Sequence, residues 1–381
     1  MSRKLRMGMI GGGIGSFIGD VHRKASALDG MIELVCGAFS STPEKSIASG
    51  QQLYLPENRC YSDFEEMILK EKELPANKRM DFVSIVTPNH MHFLPAKMAL
   101  ENGFHVVCDK PVTLTLDEAL ELKKIIENSG KLFALTHNYT GHPMVKQAKA
   151  MIKNGELGKI RKIHVQYIQG WLATDKENEG HKQAAWRVDP KRSGIGGGLG
   201  DIGTHAENLV EYITGLKIEK LAADLSAFGK GRVLDDDGHL LLGLENEAKG
   251  IMSFSQIAVG EENNLAIKVY GEKGSLMWEQ ENPNKLVTRW LDKPNTVFSP
   301  RGNNLHPEAL EACRIPIGHP EGYLEAFATI YKNFALHLMS ELEGNPIKQN
   351  DYPTIDDGIR GMQFIYAAVE SNKNNSKWTK V

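Results

Sequence analysis

The sequence predicts an α/β N-terminal domain with a doubly wound parallel sheet, followed by an α+β C-terminal domain with a large, mostly antiparallel open sheet. Three observations carry this reading. Short apolar runs alternate with helix-length segments through residues 1–136. Strand-like runs then succeed one another with only turns between them. A glycine-rich turn closes the first apolar run of the chain.

The first run, Leu5 to Ile10, ends in glycines, and Ile32–Phe39, Phe82–Val86, His105–Cys108 and Leu132–Thr136 come after it. Their nearly continuous apolar character suits strands buried on both faces, as parallel strands are. Between them, His22–Leu28, Ser62–Lys70, Met91–Asn102 and Leu116–Asn128 read as helices. Strands alternating with such helices make βαβ units, so residues 1–136 form the first domain and 137–381 the second. Met144–Asn154 reads as a helix closed by Gly155. In Lys162–Ile168 the apolar Ile163, Val165 and Tyr167 alternate with His164 and Gln166, the period of a half-buried strand. Lys220–Phe228, His239–Glu245, Gly250–Gln256, Ala266–Tyr270, Ser275–Glu279 and Leu286–Leu291 continue as strands, joined by turn clusters such as Asp235–Gly238. Gly322–Glu341 and Asp356–Asn372 read as long helices, the second expected to pack back near the first domain.

Composition excludes several classes of partner. The 381 residues carry 45 Lys and Arg against 48 Asp and Glu, a net charge of −3, which offers no basic footprint for nucleic acid or an anionic membrane. No stretch approaches the roughly 18 apolar residues of a membrane helix. The basic start, Met1 to Arg6, runs into Gly11, Gly12, Gly13 and Gly15 and then Asp20, which argues against a signal peptide. Cys36, Cys60, Cys108 and Cys313 form no CxxC pair and read as reduced thiols of a cytoplasmic protein.

Met9 to Gly19 lies between a strand and a helix, the context of a Rossmann dinucleotide fingerprint. Gly11, Gly13, Ile14 and Ser16 are its candidate cofactor contacts, since glycines let the backbone approach a pyrophosphate at a helix N-terminus. Ser16 takes the place of the third glycine and Gly19 comes three residues later, so a longer turn is expected. A merely flexible turn is the bland alternative. An NAD site usually carries an acid after its second strand. Here Phe39-Ser40-Ser41-Thr42-Pro43-Glu44-Lys45 has none at the tip, and Ser40 and Lys45 could take a 2′-phosphate. The cofactor is read as NADP or NAD, with a tilt towards NADP.

The third strand ends in Thr87-Pro88-Asn89-His90-Met91-His92 and the fourth in Asp109-Lys110-Pro111, at the carboxyl ends where open α/β sheets bind ligands. His90 and His92 lack a carboxylate or cysteine partner, so no metal is assigned. In the second domain, Trp186-Arg187-Val188-Asp189-Pro190 precedes a glycine tract, Gly194 to Gly200, which reads as a loop. Asp201 then starts a helix running through Leu209, Tyr212 and Ile213. Asp201 and His205 stand four apart on one face, a pairing that can order an imidazole for proton transfer. An N-cap aspartate with a packed histidine is the alternative.

Together, the glycine turn, Thr87-Pro88-Asn89 with His92, Asp109-Lys110-Pro111 and Asp201-x-x-x-His205 resemble the glucose–fructose oxidoreductase / inositol dehydrogenase / rhizopine-catabolism (Gfo/Idh/MocA) family, from Met7 to about Trp378. The family usually has Glu-Lys-Pro where this chain has Asp109-Lys110-Pro111, which shortens the acidic arm. Trp186-Arg187 and the glycine tract resemble its levoglucosan dehydrogenase-like branch. The resemblance implies a nicotinamide enzyme that moves hydride between cofactor and a secondary hydroxyl or ketone of a sugar, glycoside or cyclitol. It places Thr87, Pro88, Asn89, His92, Asp109, Lys110 and Asn138 along the cofactor. It makes Lys110, Asp201 and His205 catalytic, with His205 as base and Lys110 stabilising the developing negative charge. Tyr139, His142, Arg187, Asp189 and His319 join those three as substrate-binding candidates, and a homodimer or homotetramer is implied. Two other readings stand beside it. One is a glycosidase using bound NAD for transient oxidation, which would yield glycosidic product without net NADH. The other is a non-catalytic nucleotide-sensing regulator on the same fold, which the complete Lys110, Asp201 and His205 set disfavours.

Overall fold

Five parallel strands alternate with helices through the first 135 residues of the computed structural model, which describes residues 3–346 and 351–381. In chain order they are β1 (Leu5–Gly11), α1 (Phe17–Leu28), β2 (Ile32–Ala38), α2 (Pro43–Gln52), α3 (Phe64–Glu73), β3 (Phe82–Val86), α4 (Phe93–Glu101), β4 (His105–Cys108), α5 (Leu116–Ser129) and β5 (Phe133–Leu135). The sheet order is β2-β1-β3-β4-β5, so the chain reverses direction across the sheet between β2 and β3. Every residue of β3 and β4 is buried, which is why both read as unbroken apolar runs. The helix ends obey capping chemistry. Thr115 and Glu118 form a capping box at the start of α5, and Gly130, at φ 62°, closes it.

The second unit supplies α6 (Pro143–Lys153), β6 (Ile160–Ile168), α7 (Lys182–Arg187), α8 (Pro190–Ser193), a π-helical turn (Leu199–Gly203) leading into α9 (Thr204–Thr214), and β7 (Ile218–Ser226). Then come β8 (Asp237–Leu244), β9 (Lys249–Ser255), β10 (Asn264–Gly271), β11 (Gly274–Glu279), β12 (Leu286–Trp290), β13 (Thr296–Phe298) and α10 (Pro307–Ala312). Two long helices, α11 (Tyr323–Leu342) and α12 (Ile355–Lys373), precede a final short strand, β14 (Thr379–Lys380). The nine strands run in the order β13-β12-β11-β10-β6-β9-β8-β7-β14. All neighbours are antiparallel except β6 and β9, which pair in parallel from Lys162 with Lys249 to Ile168 with Ser255. Alternation is strict where one face is covered: Leu240 and Leu242, Met252 and Phe254, and Val165 and Tyr167 are buried, whereas Leu241 and Ile251 are exposed.

The chain divides into Met1–Asn138 with Phe327–Ile359, and Tyr139–Ala326 with Arg360–Val381. This differs from a single boundary at 136/137, because most of α11 and the first turn of α12 return to the first unit. Packing explains the return. Phe334 of α11 meets Phe82 of β3 with ring centroids 5.1 Å apart, and Tyr331 bonds Ser84 Oγ at 2.7 Å. Only residues 355–359 of α12 cluster with the first unit; from Arg360 on, the helix packs in the second, where Arg360 pairs with Glu211 at 2.8 Å.

Candidate functional site

β1 runs into the glycine turn with Gly11, Gly12 and Gly15 at φ +80°, +72° and +79°, a region that residues with side chains avoid. Gly13 is required for a different reason. A Cβ there would stand 2.7 Å from Ser49 Oγ and 2.8 Å from the Phe39 oxygen. Ser16 caps α1, its hydroxyl accepting from Gly19 N–H at 3.2 Å. Gly19 lies so close to Gly12 that an added Cβ would come within 2.3 Å of the Gly12 Cα, so Gly19 does the helix–strand packing of the fingerprint's third glycine. Ile14 is exposed beside the turn, and its N–H is held by Ser49 Oγ at 3.1 Å. Ser49 lies on α2, a helix that sequence patterning misses because its buried residues are Ser46, Ser49 and Gly50 rather than hydrophobes. Lys45 accordingly stands exposed on the first turn of α2, not in a loop, while Ser40 Oγ accepts from Thr42 N–H at 3.2 Å.

Beyond β3 and β4 the polar groups face one another. Pro88 precedes a short turn with Asn89 buried, and Thr87 Oγ1 donates to the Met91 oxygen at 3.0 Å. The two ring nitrogens of His92 lie 2.7 Å from the Pro111 oxygen and 2.8 Å from the Thr87 oxygen, so this histidine ties the two turns together. Its burial lowers its pKa and outweighs the attraction of Asp109. Asp109 Oδ1 accepts from Thr136 Oγ1 at 2.7 Å and from Lys110 N–H at 2.9 Å. His22 Nε2 stands 3.9 Å from Asp109 Oδ2. Burial acts to raise the Asp109 pKa, but His22, Lys110 and Thr136 overcome it and hold the carboxyl below the usual carboxylate range. His92 and Asp109 thus brace the turns that follow β3, β4 and β5 against one another. Lys110, half-buried, comes next along the chain. Asn138 is buried with Nδ2 lacking a hydrogen-bond partner. That spare donor, the glycine turn and the N-terminus of α1 fit a nicotinamide dinucleotide.

In the second unit the glycine tract is not wholly a loop. Gly198 is already helical at φ −57° and ψ −37°, and the π-helical turn passes into α9 without a break at Gly203. Asp201 therefore lies inside the helix, and the residue that meets the first free amides is Asp235. Burial pushes the Asp235 carboxyl up to about 6. Asp201 Oδ2 accepts from Arg187 Nε at 3.0 Å and from Gln256 Nε2 at 2.8 Å. Arg187 also lies over Trp186, 4.3 Å from the ring centroid. Both contacts hold Arg187 against its own unit.

His205 is buried, its ring centroid 4.8 Å from that of Tyr139 and 6.1 Å from that of Tyr167. The two tyrosine hydroxyls are 2.5 Å apart, and Tyr167 donates to Asn263 Oδ1 at 2.9 Å. Burial raises the pKa of both tyrosines. His142 stacks on Tyr139 and lies 5.2 Å from Trp278; burial pushes its pKa down to about 3, which keeps it neutral. The unit thus gathers Tyr139, His142 and His205 into one cluster and ties Arg187 to Asp201. Tyr167, Gln256, Asn263 and Trp278 enter beside them. Gln256 and Asn263 lie just outside β9 and β10, and nothing in the sequence marks their side chains as part of a site; Tyr167 and Trp278 were legible only as residues of strands. Asp189 instead caps α8 by accepting from Lys191 N–H at 3.0 Å. His319 stands in an exposed loop, with Nδ1 3.3 Å from the Pro316 oxygen, and α11 opens at Tyr323 rather than beside it.

A parallel sheet entered through such a glycine turn is the architecture of a dinucleotide-binding domain. Comparison with known proteins gives its family. Residues 5–137 match the oxidoreductase family model with an NAD-binding Rossmann fold, and residues 145–277 match the GFO/IDH/MocA C-terminal domain. The chain belongs to the Gfo/Idh/MocA family of NAD-binding oxidoreductases, whose cofactor is NAD or NADP. It is 46% identical to an oxidoreductase from Sinorhizobium meliloti, with all of each chain covered and a TM-score of 0.90. It is 34% identical to an inositol dehydrogenase homologue from Azotobacter vinelandii, covering 100% of this chain and 98% of that one. The TM-score is 0.95 for that protein's complex with NAD+ and 0.93 for its complex with NADH and myo-inositol. Levoglucosan dehydrogenase of Pseudarthrobacter phenanthrenivorans is 27% identical over 100% of this chain and 98% of its own length. Among the described residues no helix is long and apolar enough to cross a membrane.

Proposed function

We propose that this chain is an NAD(P)-dependent dehydrogenase that oxidises a secondary hydroxyl of a sugar, glycoside or cyclitol, or reduces the matching ketone. The observation that carries the reading is the placement of His205 among Tyr139, Tyr167 and His142, on the same helix as an Asp201 tied to Arg187 and Gln256. Hydroxyl, amide and imidazole groups are what a polyol needs around it. The myo-inositol bound by the Azotobacter relative and the levoglucosan in the name of the other support the substrate class.

The nicotinamide would supply the hydride acceptor. His205 would take the hydroxyl proton, Asp201 would orient it, and the Lys110 ammonium would hold the reacting oxygen as negative charge develops. Gly11, Gly13 and Ser16 would hold the pyrophosphate, and Asn138 would donate from its spare amide. The test is a panel of polyols and glycosides with NAD and with NADP, monitored by absorbance of the reduced cofactor. Glycosidic product with no reduced cofactor would favour a transient-oxidation hydrolase instead. Binding of cofactor with no turnover at all would favour a sensor.

Cofactor choice turns on the end of β2. No acid stands between Phe39 and the exposed Glu44, and Lys45 on α2 offers charge to a 2′-phosphate. NADP should bind at least as well as NAD, and Ser40→Asp should shift preference towards NAD, because a carboxylate accepts from a 2′-hydroxyl but repels a phosphate. A wild type that prefers NAD by more than about tenfold would overturn this.

The second sheet supports a two-fold homo-oligomer, dimer or tetramer, since Leu241, Ile251, Tyr270 and Val297 are exposed on its strands. Light scattering of a dilute sample at the 42.3 kDa monomer mass would count against it. The four cysteines are buried and unpaired, which supports a reducing, cytoplasmic setting.

A further inference from the structure

The tract before Asp201 is folded around one carboxylate. Asp235 Oδ1 accepts from Gly197 N–H at 2.9 Å, Oδ2 from Leu199 N–H at 2.6 Å, and the Asp235 backbone oxygen from Gly198 N–H at 2.7 Å. Three successive amides at the start of a helix, groups with no partner in the helix itself, converge on a residue from the segment between β7 and β8. The fit leaves no room for a side chain. A Cβ on Gly197 would stand 2.2 Å from the Asp235 oxygen.

The helix leaves this seat with one ordinary bond, Asp201 N–H to the Gly197 oxygen at 3.0 Å, and then widens. Thr204 N–H reaches back to the Leu199 oxygen, five residues away, so the helix opens into a wider turn. In an α-helix residues four apart are offset by about 40° around the axis. A wider turn advances by a smaller angle per residue, which brings Asp201 and His205 closer to one line along the helix. Such turns concentrate at functional sites.

We propose that Asp235 is a positioning residue: by seating the amides of Gly197 to Leu199 it holds the wide turn in place, and so sets the alignment of Asp201 with His205. The inference rests on reading that pair as catalytic. The expense of the arrangement points the same way, since burial opposes the charge on this carboxyl even though backbone amides bond it. A plain helix start could be capped by a serine or threonine at its own N-cap.

Two variants test it. Asp235→Asn keeps the size but sets an amide N–H against a backbone N–H. Gly197→Ala leaves the carboxylate intact but drives the Asp235 backbone, and the residue with it, away from the amides. Both should lower kcat about 10- to 100-fold per folded molecule, with the KM for cofactor within about twofold of wild type. Both should also move the titration of the His205 imidazole, read by NMR from the signal that vanishes in His205→Gln. A lower Tm with wild-type kcat and an unmoved His205 titration would make Asp235 a cap and nothing more, and the proposal would fail. If the wild-type enzyme turns over no polyol with either cofactor, the dehydrogenase reading falls, but the titration still decides this one. A shift in both variants supports it, and its absence in either overturns it.

Discussion

Lys110→Ala is expected to lower kcat at least about 100-fold while the cofactor still binds, since it deletes the charge placed to stabilise a developing alkoxide. The substitution isolates that charge well. Lys110 contributes its backbone N–H to the Asp109 carboxylate, so the turn at the end of β4 keeps this hydrogen bond when the side chain is cut back. Asp109 also keeps Thr136, and His92 still joins the Pro111 and Thr87 oxygens. Steady-state kinetics beside a fluorescence titration of the reduced cofactor separates turnover from binding. Near-wild-type turnover on the true substrate would falsify the role given to Lys110.

A second large effect is expected at His205. His205→Ala should lower the oxidation rate by about 10²–10⁴-fold, the usual contribution of a positioned base. The pH profile gives the sharper reading. A base must be unprotonated to act, so oxidation by the wild type should rise with pH through its pKa, and the variant should lose that rising limb. Circular dichroism should remain that of a folded protein, because Tyr139 and Tyr167 still hold each other through their hydroxyls and Asn263. Should the acid-side pKa in kcat/KM persist unchanged in the variant, another group is the base.

The sequence disclosed most where burial was two-sided or spacing was local. β3 and β4 are wholly buried and could be read as strands without neighbours. The Asp201 and His205 spacing was visible because a helix makes near neighbours of residues four apart. The misreadings share a cause, which is polar groups serving distant backbone. The buried side of α2 is made of hydroxyls and glycine, so no apolar period marks it. Asp235 meets amides 36 and 38 residues away, and without it Gly194 to Gly200 looks like loop. β13 and β14, three and two residues long at the edges of their sheet, are too short to show a pattern.

The parallel pairing of β6 with β9 has a consequence for the order in which the chain can be assembled. β7, β8 and β9 are a meander of antiparallel neighbours, as are β10, β11, β12 and β13, and each set can pair as soon as it leaves the ribosome. β6 is made before all of them, yet both of its partners, β9 and β10, are made after the first hairpin. From the synthesis of Ile168 until that of Lys249, the central strand has two open edges and no partner in its own sheet. Its exposed Arg161 and Lys162 are the kind of charges that keep such an edge from recruiting a strand of another chain during that wait.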